Sequence, residues 1–242
     1  MNTASLRWCT HAGLAYALLL GVGVFGIAGW LPLPKPGLGA DQIAALFQQD
    51  QTAIRIGISM IAGCTVLFWP FAVAISHQMQ RIEGPSHPLA DVQRTCATGT
   101  VIAVLLPAYL WLAMAFRPEQ TPPVVLQLAN DFAFFCFVGM WAPATLQAVV
   151  IGFCILSAPE DQQVYPRWLG YMNLWLAVLF LPGVTVPFFK AGPFAWNGLI
   201  TFWVVATAFW VWLMVMWWAT LKALPPYGLR PPPQGGNTGG PA

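Results

Sequence analysis

The sequence predicts an all-α, polytopic integral membrane protein with six transmembrane helices and a short interfacial helix after the first. Three observations carry this prediction. Of the 242 residues, 58% are hydrophobic and only 7% are charged, where an ordinary soluble domain has about 25% charged residues. The charges leave six uninterrupted intervals, Trp8–Pro34, Ile56–Gln80, Thr95–Phe116, Phe132–Pro159, Trp168–Phe189 and Ala191–Leu221, each at least 22 residues long. About 20 apolar residues at a rise of about 1.5 Å cross a hydrocarbon layer about 30 Å thick. Within these intervals Leu, Ala, Met, Val and Phe mix without the period-two polarity of an outer-membrane strand. The expected spans are 12–31, 54–78, 96–116, 132–157, 168–189 and 197–221. Together they make one domain over residues 1–224.

The first apolar run follows only Arg7. It is too long for a signal-peptide core and has no small-residue cleavage site before its polar exit, so it reads as a retained helix. Gly13, Ala17, Gly21 and Gly29 fall on one i+4 row interrupted by Phe25. Small residues at this spacing let backbones approach closely where lipid supplies no hydrophobic drive for association. The row is expected to serve packing within the chain, or contact with a second copy or a partner protein. Ser59 and Gly63 form a weaker version in the second span.

A Pro/Gly-rich stretch, Leu31 to Ala40, leads into Asp41 to Gln51, where Ile43, Ala44, Leu46 and Phe47 share one helical face. That spacing predicts an amphipathic helix lying in the membrane interface, with Asp41 as its cap. Arg55 then opens the second span, Arg117 closes the third and Asp131 opens the fourth. An ionisable group entering hydrocarbon is costly, so the three are expected to snorkel into the headgroups, or Asp131 to form an ion pair with Arg55 or Arg117.

Prolines fall inside three spans: Pro107 in the third, Pro143 in the fourth, and Pro182 with Pro187 in the fifth. Each removes one backbone donor and frees the carbonyl four residues earlier. Leu181–Pro182–Gly183, with Thr185 just beyond, is the best candidate for a broken helix. The deep polar residues are Gln147 and Asn173, with Thr145 and Thr185 as companions. They are expected to form interhelical hydrogen bonds, or to contact a ligand.

The last span carries Trp196, Trp203, Trp210 and Trp217 every seven residues, with Trp212 and Trp218 beside them. Seven residues drift only about 20° around a helix, so these four indoles should pave one face. That face is expected to be a packing seam, or a wall for a flat lipophile such as a quinone or pigment. Beyond it, residues 225–242 are rich in Pro and Gly and are expected to be a flexible tail.

Six spans place both termini on one side, with Arg7, Arg81, Arg94, Arg167, Lys222 and Arg230. The opposite side has Lys35, Arg55, Arg117 and Lys190. The positive-inside rule therefore expects cytoplasmic termini and a plasma (inner) membrane location. The net charge of +2 supplies no basic field for nucleic acid.

His11, His77, His87, Cys9 and Cys96 should gather on the side of the termini, and imidazole and thiolate are good metal ligands. No paired spacing of His or Cys supports this, however. Cys64, Cys136 and Cys154 lie in apolar runs as packing thiols. Glu160 and Asp161 read as a solvated turn. No phosphate loop, nucleophile elbow, zincin helix or dinucleotide fingerprint occurs. No cofactor follows from the sequence.

Lipids are the expected surroundings. The scarcity of catalytic groups ranks a non-catalytic accessory subunit of a membrane assembly first. A transporter or binder of a hydrophobic small molecule comes second, and an oxidoreductase with haem or metal at His11, His77 and Cys96 third.

Overall fold

The computed structural model describes residues 3–225. Apart from Pro225, the proline- and glycine-rich tail lies outside the described residues, and those described are helical with no strand. Six helical stretches are long and apolar enough to cross a membrane: Thr3–Ile27, Gln51–Glu83, Pro88–Phe116, Pro123–Ser157, Arg167–Phe188 and Leu199–Lys222.

The first stretch is α1, Thr3–Gly21, continued by a wide π turn over Val22–Ile27. The short amphipathic helix follows as α2, Ala40–Gln49, with Ile43, Ala44 and Phe47 buried. Its start differs from expectation. Gly39 is the cap position, and Gln42 Oε1 accepts the Gly39 N–H at 2.9 Å, while Asp41 lies within the first turn. A side chain at the third helical position reaches back to the cap, which Asp41 has already passed.

Several helices begin before the charge-free intervals do. Helix α5, Pro88–Phe116, starts at a proline and takes in Asp91 and Arg94, which pair with each other. Helix α6, Pro123–Phe137, also starts at a proline, so Asp131 lies inside it. Proline at the first helical position loses nothing, because that N–H has no intrahelical partner anyway. Charge marks where apolar sequence ends, whereas proline marks where these helices start.

Two stretches are interrupted in the same way. The second is α3, Gln51–Thr65, then α4, Phe68–Glu83. The fourth is α6, then α7, Trp141–Ser157. Both first halves have 15 residues. Both breaks carry Cys-x4-Trp followed by proline: Cys64 to Trp69–Pro70, and Cys136 to Trp141–Ala142–Pro143. Each proline is the third residue of the new helix, so the missing bond falls on Val66 or Gly139, inside the break.

The two joints close differently. At the first, Leu67 N–H donates to Cys64 O at 3.0 Å and Trp69 N–H to Val66 O at 3.2 Å. At the second, which has one extra residue, Val138 N–H donates to Phe134 O at 2.9 Å, and Val138 and Gly139 form a turn before α7 begins. Gly139 has no room for a side chain, since a Cβ would run into the Phe135 carbonyl.

Helix α5 is unbroken despite Pro107, and it packs against α3, α4, α6 and α7. Around this mast, α1 lies on α4 and on the last helix, α9, Val205–Lys222, while α7 lies on α8, Arg167–Phe180. After Phe180 the chain tightens into a 3₁₀ run, Leu181–Phe188, at the expected Leu-Pro-Gly. A π turn, Leu199–Val204, precedes α9. Close approach of α3 to the π turn of the first stretch depends on Gly57, where a Cβ would sit 2.7 Å from Ala28 N and from Gly23 O.

Candidate functional site

Four of the interruptions, all but the α3–α4 joint, converge on one apolar cleft of about 160 Å³. The π end of the first stretch supplies Val24 and Phe25, and the α6–α7 joint supplies Val138, Met140 and Trp141. Gly183 of the 3₁₀ run and Thr201, Phe202 and Trp210 of the last stretch complete the far wall, with Thr100 and Ala103 of α5 behind. Glycines set the close contacts around it. A Cβ on Gly99 would meet Pro143 at 2.8 Å, one on Gly183 would meet Trp141 at 2.8 Å, and one on Gly21 would meet Trp210 at 2.9 Å. Thr100, the next residue, donates to Cys96 O at 3.2 Å or to Gln147 Oε1 of α7 at 3.3 Å.

The two deep polar residues have different surroundings. Asn173 is fully buried and fully used. It donates to Leu169 O at 2.8 Å and to Met216 Sδ at 3.7 Å, and accepts from the Trp212 indole at 2.8 Å. Gln147 is just as buried, but its single partner is the Thr100 hydroxyl at 3.3 Å, and its amide nitrogen has none. Whichever way that amide is turned, one of its polar ends stays unpaired. Thr145 is no companion to it, since the Thr145 hydroxyl is buried without a partner. Thr185 belongs to the 3₁₀ run, donating to Pro182 O at 2.7 Å or Phe194 O at 3.2 Å, with the Thr201 hydroxyl 3.4 Å away.

The four tryptophans do not share a wall. Trp196 precedes the last helix; it is buried, stacks on Phe134 at 4.9 Å and donates to Pro34 O at 2.9 Å. Trp203 lies in the π turn, edge-on to Phe202 at 5.4 Å. Only Trp210 and Trp217 share the α-helical register, and both face α1: Trp210 at Gly21, and Trp217 with its indole 3.4 Å from His11 Nδ1. The seven-residue phase is lost because the helix starts at Leu199 and its first turn is wider than an α turn. Of the four, Trp210 alone lines the cleft.

The expected ion pair is not formed. Arg55 instead donates to Ala115 O at 2.8 Å and Phe116 O at 2.6 Å. The last carbonyls of α5 have no helical donors and carry the negative end of its dipole, so a guanidinium satisfies them without a carboxylate. Arg117 lies over the Phe116 ring at 5.1 Å, and Asp131 forms no ion pair among the described residues. Arg94 with Asp91 is the one ion pair among the described residues.

No three His, Cys, Asp or Glu side chains come together as a metal site among the described residues. His11 faces Trp217, and His87 Nδ1 is 3.4 Å from Gly84 O, so His11, His77 and Cys96 do not assemble. Two positions of the glycine row are used inside the chain: a Cβ on Gly13 would lie 2.6 Å from the Phe71 ring, and Gly21 receives Trp210, whereas a Cβ on Gly29 would meet nothing within 4 Å.

Sequence reasoning missed Pro70, Trp141 and Thr100. The repeated Cys-x4-Trp with its following proline was the signal for the first two. Thr100 carried no signal, since nothing in its neighbourhood distinguishes it from a back-bonded helix threonine. The chain matches no protein-family model, no curated protein and no solved structure.

Proposed function

We propose that the chain is a multi-pass protein of the plasma (inner) membrane, with cytoplasmic termini, that binds a hydrophobic small molecule in the cleft between its broken helices. The observation that carries this reading is the convergence of four helix irregularities on one apolar cleft of about 160 Å³. Discontinuous helices around an interior cavity are how membrane proteins build ligand sites within the bilayer. An apolar cavity of about 150 Å³ is known to accept benzene, so the inserted part of the ligand is about one ring in size. Binding is favoured over an accessory role because two positions of the glycine row that motivated subunit contact, Gly13 and Gly21, are filled by Phe71 and Trp210 of the same chain.

The test is ¹⁹F NMR of fluorobenzene added to the protein in mild detergent. Wild type should show a saturable shift above micelle partitioning. Ala206→Phe places a ring in the cleft and should abolish it while leaving thermal unfolding intact. A response that never saturates, or one that survives Ala206→Phe in a folded variant, overturns the reading.

A further inference from the structure

Tyr16 and Tyr165 are each only 1% exposed, yet their hydroxyls differ. Tyr165 meets the Thr220 hydroxyl at 2.9 Å, whereas the Tyr16 hydroxyl makes no hydrogen bond among the described residues. Tyr16 lies midway along Thr3–Ile27, a stretch apolar enough to cross a membrane, where bulk water does not reach a polar group. Its ring packs edge-on with Phe68 at 5.5 Å, a neighbour whose side chain brings no oxygen or nitrogen. A buried phenol ordinarily finds a partner, because an unmet O–H costs more than the bond would contribute. Phenylalanine would fill the same space without that cost. Tyr16 also lines the cleft. The two threonines of the cleft wall have acceptors for their single protons: Thr100 has Cys96 O at 3.2 Å or Gln147 Oε1 at 3.3 Å, and Thr201 has the Thr185 hydroxyl at 3.4 Å. Tyr16 is therefore the hydroxyl of this wall whose proton has no acceptor among the described residues.

We propose that Tyr16 is the polar anchor of the cleft, and that its hydroxyl donates to a carbonyl oxygen on the ring of the bound molecule. This rests on the reading of the cleft as a ligand site. The wall supplies a donor, so the ligand supplies the acceptor. A carbonyl does this on a flat ring and brings no proton of its own into an apolar wall. Phe25, Phe137, Trp141, Phe202 and Trp210 offer aromatic faces and edges around it, and one polar group in an apolar pocket is enough to fix a ligand's orientation. No charged side chain lines the cleft among the described residues, so an ionised ligand would find no counterion there. The ligand class is an uncharged, flat ring compound carrying a ketone or quinone-type carbonyl.

The experiment compares 4-fluoroacetophenone with 1-ethyl-4-fluorobenzene, which has a methylene in place of the carbonyl, by ¹⁹F NMR on the full chain in mild detergent, each corrected for micelle partitioning. One neutral hydrogen bond is worth about 2- to 13-fold in affinity, so wild type should favour the ketone by a factor in that range. Tyr16→Phe should erase the preference and leave 1-ethyl-4-fluorobenzene binding unchanged. Because the hydroxyl has no partner inside the chain, Tyr16→Phe should also leave the thermal midpoint of the ligand-free protein at the wild-type value, unlike Tyr165→Phe. Three results overturn the inference and leave the cleft reading standing: equal binding of both probes to wild type, as when water alone meets the phenol; a preference that survives in folded Tyr16→Phe; or a lowered midpoint for ligand-free Tyr16→Phe. Saturable binding of neither probe overturns the cleft reading itself.

Discussion

Replacing Asn173 by leucine keeps the side-chain volume near constant but strands the Trp212 indole N–H, which now donates to Asn173 Oδ1 at 2.8 Å in the core. The bond to Leu169 O adds little, since that carbonyl also accepts a helical N–H. An interhelical hydrogen bond in a membrane protein contributes about 0.6 kcal/mol on average and about 1.7 at most. A buried donor left without a partner costs about 1–3 kcal/mol. Asn173→Leu should therefore destabilise the fold by about 1–2 kcal/mol.

Trp212→Phe strands the Asn173 oxygen and also opens space beside Phe68, Phe71 and Phe209, which surround the indole. It should cost more, about 2–3 kcal/mol. In the double variant neither polar group remains, so the loss should fall short of the sum of the two by about 1 kcal/mol or more. Reversible unfolding in bicelles, read by steric trapping, measures all four corners of the cycle. Gln147→Leu is the internal comparison: it gives up one bond of 3.3 Å and removes an unpaired amide end, so its stability should stay within about 0.5 kcal/mol of wild type. Strict additivity at Asn173 and Trp212, or a Gln147→Leu cost equal to that of Asn173→Leu, would refute the distinction drawn between the two amides.

Two glycines six residues apart on α3 should respond oppositely to alanine. Gly57→Ala drives a methyl to within 2.7 Å of main-chain atoms of the first stretch and should lose about 1–3 kcal/mol, whereas Gly63→Ala meets nothing within 4 Å and should gain about 0.5–1 kcal/mol from helix propensity; detergent melting curves check both. The Glu83 carboxylate accepts the N–H groups of Leu89 and Ala90 at 3.0 and 2.9 Å, so Glu83→Ala should fray the start of α5, raising hydrogen exchange there and costing about 0.5–2 kcal/mol. Tyr165 is buried outside the six stretches that are long and apolar enough to cross a membrane, its phenol is pushed above the ordinary tyrosine range by that burial, and its hydroxyl is 2.9 Å from that of Thr220. Tyr165→Phe should lower stability by about 0.5–1.5 kcal/mol, and an absorbance titration should show one fewer ionisation-resistant tyrosine in the folded variant than in folded wild type.

Six apolar stretches, the short amphipathic helix and the breaking point at Leu181 were legible because each depends on local signals: hydropathy, periodicity or proline chemistry. The partners of polar groups were not. Asp131 and Arg55 look like ions in need of counterions in sequence, but the C-terminal carbonyls of α5 are invisible there and answer Arg55 first. The tryptophan stripe failed for a different reason. A seven-residue spacing is informative only along an uninterrupted α-helix, and nothing in Leu199–Val204 announces a π turn. The cleft was half legible: Gln147 and Trp210 were singled out, but that one is half-paired and the other cleft-facing depends on α5 and α1 meeting them from far away in the chain.

The connections opposite the termini are held by five side chains: Gln48 to Pro118 O, Gln51 and Arg55 to Ala115 O, Gln127 to Leu38 O, and Trp196 to Pro34 O. Every acceptor is main chain. The two halves of each tie therefore answer to different constraints. Substitutions at Pro118, Ala115 and Leu38 leave the accepting oxygen in place and are limited only by packing, which is tight at the buried Ala115 and Pro118, while any shortening of the five donors removes a tie outright. Covariation between the paired positions would be weak although they touch, because the acceptor does not depend on which side chain carries it.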